Sequence, residues 1–384
     1  MERTTEGARV LRPCSFGRAP QAALSHASRM LAAVNDRLLR AARRQPTDRT
    51  PVWFMRQAGR YLPEYRAVRG DRDILETCRH PDLVVELTLQ PLRRMPLDAA
   101  IVFSDIMVPL AAIGLPIRVA QGEGPIVEDP IRCEADLARL RPLEPEADEP
   151  ELLEAIRLVV AELEVPLIGF AGGPFTLASY LIEGGPSKDH ARTKALMLGE
   201  PAVWERLMGA LAELCVAHLR AQVEAGARAV QLFDSWIGAL EPEDYERAVL
   251  PHARRIFEGV ADLGVPAIHF GVGTAELLAL VADAGAQVVG ADWRVPLDRA
   301  WERVGAERAI QGNLDPAACL APWEAVRAKA LRVLERAGGR PGHIFNLGHG
   351  VLPQTPPETL GRLVELVHEV TGGGSQALAP AEGR

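Results

Sequence analysis

Pro51-Val52-Trp53-Phe54-Met55-Arg56-Gln57-Ala58-Gly59-Arg60-Tyr61-Leu62-Pro63-Glu64-Tyr65 is a short apolar run that stops at two arginines flanking a small turn. Val52 to Met55 have the length and residue types of a buried strand. Ala58 and Gly59 allow backbone N–H groups to come close to a ligand. Arg56 and Arg60 each present a planar fork of donors suited to carboxylate or phosphate. The stretch reads as an anion clamp at the mouth of a strand, with a solvated basic loop as the competing reading. Arg56 follows Met55 directly, and a guanidinium at the end of a buried strand must be paired or used.

The same pattern recurs along the chain. Strand-like apolar runs fall at 52–55, 99–103, 166–171, 228–233, 266–270, 287–291, 308–311 and 343–347. Segments with helical spacing of apolar residues separate them, among them Glu151 to Leu163, Ala202 to Ala225 and Trp323 to Ala337. Eight βα units in succession predict an α/β chain folded as a single (β/α)8 TIM barrel, with an open doubly wound sheet as the competitor. No G-x-G-x-x-G follows an early strand, and Gly271-Val272-Gly273 comes late with Glu at 276, so the dinucleotide fingerprint is absent. Nearly every run ends in polar or glycine residues: Arg56, Ser104-Asp105, Gly172-Gly173, Asp234-Ser235, Gly271, Asp292, Asn313 and Gly348-His349. In a barrel these converge on the C-terminal mouth, where catalytic groups sit.

Composition bounds the reading. The chain has 384 residues, 48% apolar and 24% charged, as an ordinary globular protein does. A net charge of −8 argues against nucleic acid and acidic membranes as partners, so an anionic ligand must meet a local basic site. Cys14, Cys78, Cys133, Cys215 and Cys319 are scattered and odd in number, with no C-x-x-C, which suggests neither a disulfide framework nor a thiolate zinc site and points to a reducing, cytoplasmic compartment. No apolar run reaches the roughly 18 to 20 residues a membrane span needs. Residues 1–29 lack periodicity and read as a disordered extension, with a transit peptide as the alternative and Met30 as a candidate natural start. Residues 30–372 form the expected catalytic domain, and 373–384 a flexible tail.

The expected mouth holds positive charge from Arg56 and Arg60, negative charge from Asp105 and Asp234, hydroxyls from Tyr180 and Ser235, and the imidazole of His349 between two glycines. Taken alone, His349 also fits a packed or capping histidine, and Asp105 a helix cap or ion-pair partner. Gly-x-Ser-x-Gly, the phosphate-binding Gly-x4-Gly-Lys-Ser/Thr loop and His-Glu-x-x-His are missing. His269 is the one place a metal ligand could hide, and a core histidine is the simpler reading of it.

Together these residues carry a resemblance. Pro51 to Arg60 closely resembles the N-terminal signature of the uroporphyrinogen decarboxylase family, and Gly169-Phe170-Ala171-Gly172-Gly173-Pro174-Phe175-Thr176-Leu177-Ala178-Ser179-Tyr180-Leu181-Ile182-Glu183-Gly184 resembles its second signature. Phe103-Ser104-Asp105-Ile106, Gln231-Leu232-Phe233-Asp234-Ser235, Gln311-Gly312-Asn313-Leu314-Asp315-Pro316 and Asn346-Leu347-Gly348-His349-Gly350 are further matches, and the similarity runs from about Asn35 to Gly372. The resemblance implies a single barrel, usually a homodimer, that removes the four acetate carboxylates of uroporphyrinogen III to give coproporphyrinogen III in haem biosynthesis. It implies no cofactor and no metal. Carried over by position, Arg56, Gln57, Ala58, Gly59 and Arg60 would bind substrate carboxylates, Asp105 the pyrrole N–H groups, and Tyr180, Ser235 and His349 would line the cleft. Arg56, Asp105, Tyr180 and His349 are the catalytic candidates.

The chemistry fits. Protonating a ring carbon beside the acetate makes the macrocycle its own electron sink, and a carboxylate facing the pyrrole N–H groups stabilises the positive charge that develops. Ile74 stands where some family members have an aromatic, and Cys319 needs no chemical role. The rival is a zinc-dependent methyl-transferring barrel of the same superfamily. It requires a His-x-Cys pair, and His269-Phe270-Gly271 has no cysteine.

Overall fold

The computed structural model describes residues 35–120 and 124–373. The expected extension at 1–29 lies outside the described residues, as does the expected tail beyond Gly373. The strands are β1 (Ala100–Ile101), β2 (Ile117–Ala120), β3 (Gly124–Val127), β4 (Leu167–Gly172), β5 (Ala229–Phe233), β6 (Ala267–Phe270), β7 (Val288–Gly290), β8 (Ala309–Gln311) and β9 (His343–Ile344). Seven of them form one parallel sheet in the order β1-β4-β5-β6-β7-β8-β9, while β2 and β3 pair as a separate antiparallel hairpin. These seven strands are buried almost throughout, without alternation. That is the pattern of a parallel sheet covered on both faces by crossover helices. The helices Pro150–Glu162, Pro201–Glu224 and Trp323–Ala337 lie within a residue of where apolar spacing puts them. The first two begin on proline, whose fixed φ and missing N–H suit a first helical turn.

The sheet curls strongly, because side chains from non-neighbouring strands meet inside it. Gln311 on β8 donates from Nε2 to Gln231 Oε1 on β5 at 3.0 Å, although β6 and β7 lie between them in the sheet. Trp53 Nε1 donates to Gln311 Oε1 at 2.9 Å. All three side chains are buried, so the amide chain is a fixed spacer across the interior.

The strand expected at 52–55 shrinks to one residue: Val52 forms an isolated parallel bridge with Phe345. Pro51 O accepts the Phe345 N–H at 2.9 Å, and Val52 O accepts the Asp98 N–H at 2.9 Å on the other side. Past Trp53, whose N–H still reaches Phe345 O at 3.4 Å, side-chain amides take the backbone donors. Gln57 Oε1 accepts the Phe54 N–H and Asn346 Oδ1 the Met55 N–H, both at 3.2 Å. The hairpin β2–β3, between β1 and β4, is an insertion that the sequence reading did not foresee.

One buried carboxylate ties the ends of the described chain to this segment. Asp98 Oδ1 accepts from Asn35 Nδ2 at 2.8 Å and from Arg37 Nη1 at 3.3 Å. Its Oδ2 accepts the Val52 N–H at 2.8 Å and lies 2.7 Å from His368 Nε2, on the final helix Pro357–Gly372. Burial works to raise the Asp98 pKa, but the hydrogen bonds from His368 and Asn35 outweigh it and hold the carboxyl below its ordinary value. No helix among the described residues is long and apolar enough to cross a membrane.

Because the folded-state pKa of Asp98 is depressed, its contribution to stability is present above about pH 4 and is lost as the pH falls through the folded value. Asp98→Ala leaves several buried donors without an acceptor and is expected to lower unfolding stability at pH 7 by roughly 3 to 5 kcal/mol. Urea unfolding monitored by circular dichroism measures this, and a loss below about 1 kcal/mol would contradict the tie.

Candidate active site

Each candidate follows the C-terminal end of a strand or of the Val52 segment: Arg56 to Arg60 after Val52, Asp105 after β1, Tyr180 on the helix Pro174–Glu183 after β4, Ser235 after β5, and His349 after β9. Parallel strands put all these ends on one rim. The backbone of Arg56 is left-handed, with φ of 61°, and its stem lies over Gly350, where a Cβ would come within 2.5 Å of Arg56 Cδ. Glycine at 350 therefore makes room for the arginine. Arg56 and Arg60 are exposed, and among the described residues neither guanidinium has a hydrogen-bond or ion-pair partner. Of the two options open to a strand-end arginine, pairing is not the one taken.

Gln57 differs from its neighbours. Its side chain is buried, with Oε1 on the Phe54 N–H and Nε2 on Ala99 O at 3.2 Å, so it braces the loop and leaves little for a ligand. Ala58 and Gly59 are half-buried, as is Ser235. Asp105 heads a tight turn in which Oδ1 accepts the Met107 N–H at 2.9 Å. Its Oδ2 carries no hydrogen bond from the described residues, and the residue is half-buried. Tyr180 stacks on Trp236, with ring centroids 4.2 Å apart. His349 Nδ1 accepts the Gly350 N–H at 2.7 Å, which places the proton of the neutral ring on Nε2.

Mutual electrostatics bring four candidates together. Burial raises the pKa of Asp105, while the Met107 N–H and the charge of Arg56 oppose the rise. Tyr180 is pushed up to about 12, by burial first and the Asp105 charge second, against Arg56. His349 is pushed down to about 4 by burial, with Arg56 and Arg294 adding to the effect and Asp292 opposing it. At neutral pH the site therefore offers a phenol O–H and a neutral imidazole N–H, with the Arg56 guanidinium acting on both and on the poorly solvated carboxyl of Asp105.

One residue read as a mouth group turns inward instead. Asp234 is fully buried, and its Oδ1 accepts the Thr176 N–H at 3.0 Å and the Thr176 hydroxyl at 2.7 Å. It caps the helix that carries Tyr180, fitting where a Cβ on Gly173 would lie 2.2 Å from Asp234 Cγ. Burial pushes Asp234 up to about 7, against the bonds from Thr176. His269 is the core histidine that the simpler sequence reading expected, buried with Nδ1 3.3 Å from Val281 O and its ring near Phe257, facing the outer helices. Sequence reasoning placed Asp292 at a strand end but missed Trp236 and the Trp293-Arg294 pair that follows Asp292. Both were legible only as aromatic or charged residues just after a strand end.

Comparison with known proteins shows the family. The family model for uroporphyrinogen decarboxylase (URO-D) matches residues 33–370. The uroporphyrinogen decarboxylase of Streptomyces avermitilis is 60% identical over 87% of this chain and 94% of its own. That of Salinispora tropica is 58% identical over 87% and 90%. The one from Carboxydothermus hydrogenoformans is 53% identical over 88% and 97%. Among solved structures, a methyltransferase from Methanosarcina mazei superposes with a TM-score of 0.73 at 21% identity, covering 88% of this chain and 98% of its own, a likeness of fold alone. With its described strands, its rim residues and this similarity over most of its length, the chain belongs to the uroporphyrinogen decarboxylase family.

Proposed function

We propose that this protein is a uroporphyrinogen decarboxylase that converts the four acetate side chains of uroporphyrinogen III to methyl groups, giving coproporphyrinogen III. The observation that carries the reading is the separation of charge at the strand ends: unpaired Arg56, whose charge acts on Asp105, with unpaired Arg60 in the same turn. A phosphate site would have no use for a carboxylate at its centre. A macrocycle with acidic arms and N–H groups facing inward uses both signs.

In this reading Arg56 and Arg60 hold rim carboxylates and Asp105 accepts hydrogen bonds from the pyrrole N–H groups. A ring carbon beside an acetate arm takes up a proton, which makes that pyrrole cationic. The bond to the carboxylate then breaks, carbon dioxide leaves, and its electron pair neutralises the ring. The exocyclic carbon takes a proton to become a methyl group as the ring carbon gives one up, for a net uptake of one proton. Asp105, partly desolvated, interacts more strongly with the cationic ring than with the neutral one, which lowers the barrier. Guanidinium is a poor acid, its pKa lying above ~12. Tyr180 and neutral His349 are weak acids as the free protein holds them, so their assigned role is hydrogen bonding and orientation, with Ser235 beside them.

The ring supplies its own electron sink, so the reaction as written calls for no cofactor or metal. We extend the reading to a closed eight-membered barrel whose eighth member is the Val52 segment, supported by its hydrogen bonds to Phe345 and Asp98. Residues 30–372 are proposed as one catalytic domain. A cytoplasmic location is supported by the scattered cysteines, and a homodimer by the family resemblance alone.

Anaerobic incubation of purified protein with uroporphyrinogen III, followed by chromatography of the oxidised products, is expected to give the hepta- to tetracarboxylate series, with or without a chelator. No product under either condition would reject the reading, and zinc-dependent methyl transfer would favour the rival. Asp105→Ala is expected to keep its circular dichroism spectrum and lose roughly 10²- to 10³-fold in kcat. Near-normal turnover would remove Asp105 from its role. Since burial raises the Asp105 pKa, the acid limb of kcat/KM is expected to lie above the ordinary aspartate value of about 3.9. Gly350→Ala pushes Arg56 aside and should lower kcat/KM by on the order of 10²-fold, read in the same assay. Unchanged kinetics would show that the stem of Arg56 need not lie over position 350.

A further inference from the structure

Asp292, Trp293 and Arg294 leave the C-terminal end of β7 on the rim that carries His349. The two segments touch. A Cβ on Gly348 would come within 2.4 Å of Trp293 N, and the Trp293 and His349 rings meet edge to face with centroids 6.4 Å apart. The Arg294 guanidinium lies over the Trp293 ring, 4.0 Å from its centroid. Its Nη1 donates to Asp292 Oδ2 at 2.7 Å, and its backbone N–H donates to Asp292 Oδ1 at 2.8 Å. Asp292 is itself buried and also accepts the Gly273 N–H.

The guanidinium is thus fixed by one stacked face and one pinned nitrogen. Its Nε and Nη2 have no hydrogen-bond partner among the described residues, and the side chain is 49% exposed. These two nitrogens form the edge of the fork that matches a carboxylate in bidentate fashion.

We propose that Arg294 is a third rim cation, binding one carboxylate arm of the macrocycle through its Nε–Nη2 edge while Nη1 stays on Asp292. This rests on the decarboxylase reading. Three features favour a binding role over a purely structural ion pair. A structural pair would use the fork for the protein's own acceptors, whereas here the bidentate edge is left open. Stacking on Trp293 means that little side-chain freedom remains to be lost when a ligand binds. The charge also acts on the neighbouring His349, where it adds to the downward shift that burial causes. Arg56 and Arg60 alone are two cations for a substrate with four acetate and four propionate arms, so a further cation on the rim has a carboxylate to meet.

Arg294→Gln, Arg294→Lys and wild type are compared in steady-state turnover of uroporphyrinogen III. The Gln variant is expected to raise KM about tenfold, the equivalent of one charge-assisted hydrogen-bonded contact, with a much smaller change in kcat. Lys, a point charge without the fork, should recover part of that loss. A KM within twofold of wild type overturns the proposal, and so does a fall in kcat with KM unmoved, which marks a scaffold role. Should the Gln variant fail to fold, Arg294→Met keeps an apolar stem over Trp293 and carries the same test. Wild-type turnover tests the decarboxylase reading, whereas the ratio of variant to wild type tests Arg294. If wild type is inactive, quenching of tryptophan fluorescence by uroporphyrin III gives the ratio as Kd, with about a tenfold weakening expected and equal Kd values overturning the proposal.

Discussion

The structure of the rim depends on how Arg56 is held. Its charge stands at the end of a segment packed into an apolar interior, where a guanidinium without a partner is costly unless it reaches open space. A left-handed backbone and a glycine at 350 provide that space. The field of Arg56 then acts on its neighbours, opposing the upward shifts of Asp105 and Tyr180 and adding to the downward shift of His349. Asp98, Gln57, Asn346 and Gln311 hold the segment from different sides, each through a buried side-chain hydrogen bond. Four buried polar side chains thus help to place one positive charge.

Parts of this were legible from residue order. β4 to β8 form where apolar runs of the right length end in polar or glycine residues, because a strand buried on both faces has few other compositions open to it. The Val52 segment has the same composition yet makes a single bridge, since side-chain amides 291 residues away and 3 residues away take its backbone donors. No local pattern announces such a substitution. Asp234 and Gln57 sit within motifs that read as mouth chemistry, but both face inward. A strand end offers two directions, and residue type alone does not choose between them. Trp236 and Arg294 were overlooked for the opposite reason: each matters through a stacking partner, Tyr180 in one case and Trp293 in the other, that the sequence reading did not bring to it.

The likeness to a methyltransferase at 21% identity shows how little the fold alone decides. The chemistry has to be argued from the residues at the strand ends. In the rival chemistry a metal would need a thiolate near His269, but position 271 is glycine and the imidazole faces the outer helices. In the proposed reaction the rim needs only fixed charges and donors, and the substrate's own ring carries the electrons. Desolvation makes those charges effective, since a carboxylate with few competing donors responds strongly to a cation formed beside it.

The central claim is that the macrocycle lies with its nitrogens toward Asp105 and its acidic arms toward the arginines. A crystal structure with coproporphyrinogen bound tests this most directly. The account predicts pyrrole nitrogens within about 2.7 to 3.2 Å of Asp105 Oδ2, and propionate oxygens at Arg56 or Arg60. A product whose nitrogens point away from Asp105, or whose arms avoid both arginines, would contradict it.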